Sequence, residues 1–283
     1  MKLFDENIFS VDAFYAAFSE LLKTSKKDWI NAISVFKKEF ENNVQDEKII
    51  HFNKTDLKID NSENFYLSGF DMPCWVSNED SKKKIMILAS EPLRDEISFD
   101  KSKLDKFTNI SLNTPFSYHT SGRIKNPKFK DRRQYWSLID WMVTDLKSTV
   151  YMTDIRKFWF ADWQHHKEFG DTKLHLDIFK KELELVKPDF IILFGSTPMN
   201  ILQSANLLES EIHLTKYKLK EEGFKLKWDN HKESEWPVII PLIHPSGAAG
   251  GPRKHFFTVN DIYKEGLDQN EMYKLIIEKY IKN

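Results

Sequence analysis

The rhythm of apolar and polar residues changes near Lys84. Before that point apolar positions recur at helical spacing, with Phe14, Phe18, Leu21 and Leu22 in one stretch and Trp29, Ile33, Phe36 and Phe40 in another. Asp12, following Ser10, is a candidate N-cap for the first of these helices. Across residues 53–78 the periodicity fails while Asp, Asn and Ser accumulate, which reads as a connector with a short extended piece. From Lys84 onward four apolar runs, at residues 85–89, 150–153, 190–194 and 238–243, are short enough to be buried parallel strands. Amphipathic stretches at 135–147 and 174–186, and a third helix at 198–206, lie between them. Strands alternating with helices predict right-handed crossovers and a parallel sheet covered on both faces. The expected architecture is α/β: a three-layer α/β/α core with a four-stranded parallel central sheet. Residues 1–68 are expected as a helical extension packed on that core, and residues 69–283 as the α/β domain.

Composition narrows the class. Hydrophobic residues make up 41% and charged residues 30%, with 9 Gly and 10 Pro, which excludes collagen-like and disordered chains. The single Cys, Cys74, excludes an internal disulfide and any metal site built on several thiolates. It also points to a reducing compartment. No apolar run approaches the ~20 residues a membrane span needs, and the first residues lack the apolar stretch of a signal peptide. A cytoplasmic protein without a membrane partner is expected.

The net charge of −1 offers no global attraction to nucleic acid, yet its distribution is uneven. Arg123, Lys125, Lys128, Lys130, Arg132 and Arg133 crowd one segment against Asp131 alone, and Arg253, Lys254 and His255 form a second group. A solvated basic loop and a phosphate-binding segment both fit this pattern. In parallel α/β sheets ligands bind beyond the carboxyl ends of the strands. Those ends here carry Ser90-Glu91-Pro92, Asp154, Gly195-Ser196 and His244-Pro245-Ser246.

These strand ends resemble the uracil-DNA glycosylase superfamily. The first strand runs into ILASEPLRDE, similar to a family motif that sets an acidic or amide residue beside a Pro. PFSYHTSGRI, residues 115–124, resembles the family's Phe-bearing loop. The second strand ends Tyr151-Met152-Thr153-Asp154 where the family has YITN, the third reads KPDFIILFG, and the fourth ends in the family's HPS triplet. The resemblance covers roughly residues 84–257. The chain departs from the pattern in four ways. Ser90 stands where a Gly is usual, and Asp154 stands where the family has Asn. The four cluster-binding Cys are missing, and GAAGGPRKHFF follows HPS in place of Pro and an apolar wedge.

The resemblance implies a monofunctional DNA glycosylase that extrudes a pyrimidine and hydrolyses its glycosidic bond without a cofactor, leaving an abasic site. Cleaving that bond builds positive charge on the sugar and negative charge on the base. Glu91 matches the carboxylate that meets the first, and His244 the hydrogen-bond donor that meets the second. Phe116 matches the aromatic that stacks on the extruded base, with Ser90 and Asp154 beside it as base-binding residues. Ser246, Gly247 and Ser196 are expected at the phosphates, where small residues let backbone amides approach closely. Arg253 is expected to enter the base stack or grip a phosphate, with Lys254, Arg123, Arg132 and Arg133 as further DNA contacts. The aromatic segment KFWFADWQHH, residues 157–166, fits either a stacking platform or a plug over the N-terminal helices. His165 and His166 have no acid at ligand spacing, so no metal site is expected.

Asp154 carries the expectation about substrate. In the family that the chain resembles, an Asn amide at this strand end pairs with uracil, whereas a carboxylate has no donor for the 4-carbonyl. It accepts well from the amino group of cytosine. A modified cytosine is therefore expected, as in hydroxymethylated or glucosylated phage DNA, giving an antiphage enzyme acting as a monomer on DNA. The alternatives are a uracil or deaminated-base repair glycosylase, an inactive DNA-binding member of the same fold, and a hydrolase of free nucleosides.

Overall fold

The computed structural model describes residues 2–3, 27, 58–60, 67–71, 74–76, 80–90, 107–109, 111–112, 130–160, 173–209, 212, 218–220, 222–245 and 250–282. In chain order the strands are β1 (Lys2–Leu3), β2 (Lys58–Asp60), β3 (Leu67–Phe70), β4 (Cys74–Val76), β5 (Lys83–Ala89), β6 (Phe107–Asn109), β7 (Ser111–Leu112), β8 (Ser148–Asp154), β9 (Phe158–Phe160), β10 (Phe190–Phe194), β11 (Phe224–Lys225) and β12 (Val238–Leu242). The helices used below are α1 (Lys130–Thr144), α2 (Lys173–Val186), α3 (Ser196–Ser204), α4 (Gly250–Val259) and α5 (Gln269–Ile281). The chain divides into two compact units. The first comprises residues 1–75, 91–123 and 153–185, the second 76–90, 124–152 and 186–283. The expected N-terminal helices lie outside the described residues, apart from Lys27, which is helical.

The second unit holds the expected sheet. Strand order is β8-β5-β10-β12-β11. β10 pairs in parallel with β5 (Leu193 opposite Leu88) and with β12 (Phe194 opposite Leu242). All four expected strands are present as neighbours, and β11 adds an antiparallel edge through Phe224 and Lys225. That edge makes the sheet mixed. A run of two residues carries no periodicity, which is why the sequence pattern did not announce it. The central strands are buried on both faces, so they read as unbroken apolar runs: residues 85–88, 191–194, 239–240 and 242 are at most 1% exposed. Burying each such side chain stabilises the fold by roughly 1.5–3 kcal/mol relative to exposure.

Helices close this core. α3 packs on β10 and β5, and α1 packs on α5, where Asn270 donates to Ser137 Oγ at 2.8 Å. α5 buries Met272, Tyr273, Ile276, Ile277, Tyr280 and Ile281 and is capped by Asp268, whose carboxylate accepts from the Asn270 amide. α1 begins at Lys130, five residues before the expected start, so Arg132 and Arg133 occupy a helical first turn, not a loop.

In the first unit β2 pairs antiparallel with β6, and β3 lies between β7 and β9. The aromatic segment beginning at Lys157 is thus partly strand. α2 buries His175, Ile178, Phe179, Glu182, Leu183 and Val186, a helical stripe that carries two polar residues. Among the described residues no helix is long and apolar enough to cross a membrane.

Candidate functional site

Parallel pairing in register brings the carboxyl ends of β5, β10 and β12 to one level in the second unit. Ser90 and Gly195-Ser196 follow directly from β5 and β10, and His244 comes two residues after β12. Gly195 turns the chain from β10 into α3 at φ +89°, a conformation that favours glycine, and its amide donates to Leu242 O at 2.8 Å. His244 sits against this turn: a Cβ built on Gly195 would lie 3.9 Å from His244 Cβ. The imidazole meets the Phe194 ring edge-on, with centroids 5.9 Å apart and planes at 73°.

Two influences hold the His244 pKa below its ordinary value: burial first, then the positive charge of Arg253. At neutral pH the imidazole is therefore uncharged, with one nitrogen as donor and the other as acceptor. Arg253 comes from the inner face of α4 and is only 4% exposed. It hydrogen-bonds the Tyr273 hydroxyl, which itself donates to Ile243 O at 2.7 Å, one residue before His244. Arg253 Nε and Nη1 are buried without a hydrogen-bond partner. Arg253, expected to enter the base stack or grip a phosphate, is thus a buried side chain in this structure. The neighbouring Lys254 is exposed and lies over the Tyr263 ring at 5.2 Å. Ser196, the first residue of α3, is exposed, and Ser90 is half-buried.

In the first unit Asp154 ends β8 and is buried. Its backbone amide donates to Asp71 Oδ2 at 3.0 Å. The same oxygen accepts from Thr153 Oγ1 at 2.8 Å and from Lys157 Nζ at 2.9 Å. Lys157 Nζ also donates to Thr153 Oγ1 and to Glu182, whose two carboxyl oxygens both lie 2.9 Å away. Two main-chain bonds brace the group: Asp71 N to Lys157 O at 2.8 Å, and Lys157 N to His175 Nδ1 at 3.0 Å. The side chains of Asp71, Lys157 and Glu182 are at most 1% exposed. Burial alone would lower the Lys157 pKa, but the charges of Asp71 and Glu182 outweigh it and raise it. The Glu182 pKa is raised by burial, against the opposing charge of Lys157 and with the like charge of Asp71.

Asp71, His175 and Glu182 were not singled out in the sequence, and Lys157 only as the start of the aromatic segment. Glu182 does leave a trace there, since it is a charge set on the apolar stripe of α2. Glu91, Phe116, Arg123, Ser246 and Gly247 lie outside the described residues, as do the side chains of Arg132 and Arg133. Among the described residues no three His, Cys, Asp or Glu side chains are grouped to hold a metal ion.

Parallel strands that deliver a serine, a glycine turn and a His-Pro from adjacent carboxyl ends define an α/β protein in which ligands are expected beyond the strand ends. A family model described as the uracil DNA glycosylase superfamily matches residues 77–265, well over half of the sequence. The chain belongs to that superfamily. No curated protein is similar enough to count as a match.

Proposed function

We propose that the protein is a DNA glycosylase that hydrolyses the N-glycosidic bond of a flipped-out modified cytosine and leaves an abasic site. Membership of the superfamily supports glycosidic hydrolysis on DNA. The observation that carries the choice of base is Asp154, an acid buried at the end of β8. A carboxylate accepts from the exocyclic amino group of cytosine but cannot donate to the 4-carbonyl of uracil. Facing uracil, it would leave buried groups unpaired at about 1–3 kcal/mol each.

The remaining roles follow from charge. Neutral His244 donates to the 2-carbonyl as negative charge develops there, and burial together with Arg253 holds it in the uncharged form. Glu91 faces the cationic sugar and orients the attacking water. A proton shared between Asp154 and N3 pairs the base in bidentate fashion and helps an otherwise poor leaving group depart. An enzyme that removed ordinary cytosine would destroy its host's genome. An added substituent must therefore mark the target, and hydroxymethylated or glucosylated phage DNA meets that requirement, making antiphage defence the proposed role.

The test compares wild type with Asp154→Asn on duplexes containing uracil, cytosine, hydroxymethylcytosine and glucosylated cytosine, reading abasic sites. Wild type is expected to release a substituted cytosine and to spare uracil, with Asp154→Asn shifting activity towards uracil. Efficient uracil release by the wild type, unchanged in the variant, overturns the assignment and leaves a uracil-repair enzyme.

A further inference from the structure

The buried cluster of the first unit has more close contacts than hydrogens to fill them. Five close contacts join Lys157, Asp71, Glu182 and Thr153: ammonium to each carboxyl group, ammonium to hydroxyl, and hydroxyl to each carboxyl group. An ammonium brings three hydrogens and a hydroxyl one, so four hydrogens serve five contacts. With both carboxyl groups ionised, the Thr153 hydroxyl faces two acceptors, Asp71 Oδ2 and Glu182 Oε1, each at 2.8 Å, with a single hydrogen. One further proton completes the set. Asp71 Oδ2 already receives the Thr153 hydroxyl, the Asp154 amide and Lys157, so the extra proton belongs on Glu182.

Charge gives the same answer. Among the described contacts, one ammonium between two carboxylates would leave net negative charge on side chains essentially closed to water. A protonated Glu182 makes the group neutral. Asp71 and Lys157 are titratable groups in contact with it, and His175 accepts from the Lys157 amide. Burial acts on Glu182 in the same direction.

We propose that Glu182 is a neutral carboxylic acid in the folded protein, and that Asp71, neutralised by Lys157, is the positioning residue that fixes the peptide of Asp154. The meaning for base choice rests on the function proposed above; the protonation and the anchoring do not. Gln reproduces a protonated Glu, because its amide donates to Thr153 and its oxygen accepts from Lys157. Asn in place of Asp71 removes the carboxylate that balances Lys157 among the described contacts, and Glu182 then gives up its proton to replace it.

The experiment uses the full chain without DNA. Infrared spectra of wild type minus Glu182→Gln should contain the carbonyl band of a protonated carboxyl group, and that band should vanish in Asp71→Asn. The melting temperature of wild type relative to Glu182→Gln should fall as pH rises above the ordinary carboxyl range, because the unfolded chain releases a proton that the fold retains. Amide exchange at Asp154 should speed up on the order of tenfold in Asp71→Asn but not in Glu182→Gln. If Asp71→Asn does not fold, Asp71→Glu supplies the exchange measurement, since the longer side chain displaces the acceptor. No protonated-carboxyl band, or a melting difference that is flat with pH, overturns the assignment of Glu182. Unchanged exchange at Asp154 overturns the positioning role. Failure of the wild type to release any base would sink the proposed function and leave each of these readouts intact.

Discussion

A cation buried beside a neutral histidine is an expensive arrangement, and Arg253 is held in it with two donors unmatched. Each unmatched donor costs about 1–3 kcal/mol. Arg253→Met fills similar space without donors, so the melting temperature should hold or rise while base release slows. The His244 midpoint, followed by NMR, should move up towards the ordinary value. An unmoved midpoint would leave burial as the whole cause of the shift. The pH dependence has a definite sign. The folded pKa of His244 lies below its ordinary value of 6.5, so on acidification through that value the unfolded chain gains a proton first. Stability from this group is full above that pH and is lost below it, and His244→Gln should flatten the acid side of the wild-type stability profile.

At the scale of elements, α1 opens with Lys130, Arg132 and Arg133 where a helix prefers acids. Changing Arg132 and Arg133 together to Glu should raise helix stability by about 0.3–1 kcal/mol per site. DNA affinity should fall alike for all sequences, with the salt dependence losing about one unit of slope per phosphate contact removed. A melting rise with unchanged binding would mark this turn as solvated surface. Elements also explain what the sequence made legible. β5, β8, β10 and β12 were visible because strands buried on both faces leave unbroken apolar runs. β2, β6, β7 and β11 span two or three residues each and leave no pattern to read. Strand ends gave Asp154 and His244 for the same reason that the strands were visible. Asp71 and Lys157 were not legible, because their partners come from segments far away in the chain and an isolated acid or lysine reads as surface. The inward turn of Arg253 was hidden because helical phase depends on where α4 starts, within a glycine pair.

At the scale of the whole molecule, a net charge of −1 confines attraction for DNA to local basic groups, so binding should weaken steeply with salt only through them. The superfamily match, residues 77–265, draws on both compact units. Those units are woven from one thread: the chain passes between them at residues 75–76, 90–91, 123–124, 152–153 and 185–186. Each excursion into one unit is a loop that the other must close, and folding either unit shortens the loops left open in its neighbour. The entropy of loop closure therefore makes the two units allies in folding, although each has its own core. Heating or urea should give one cooperative transition, with tryptophan fluorescence and far-ultraviolet circular dichroism changing together. Two separated midpoints would mean that the weave carries no such coupling.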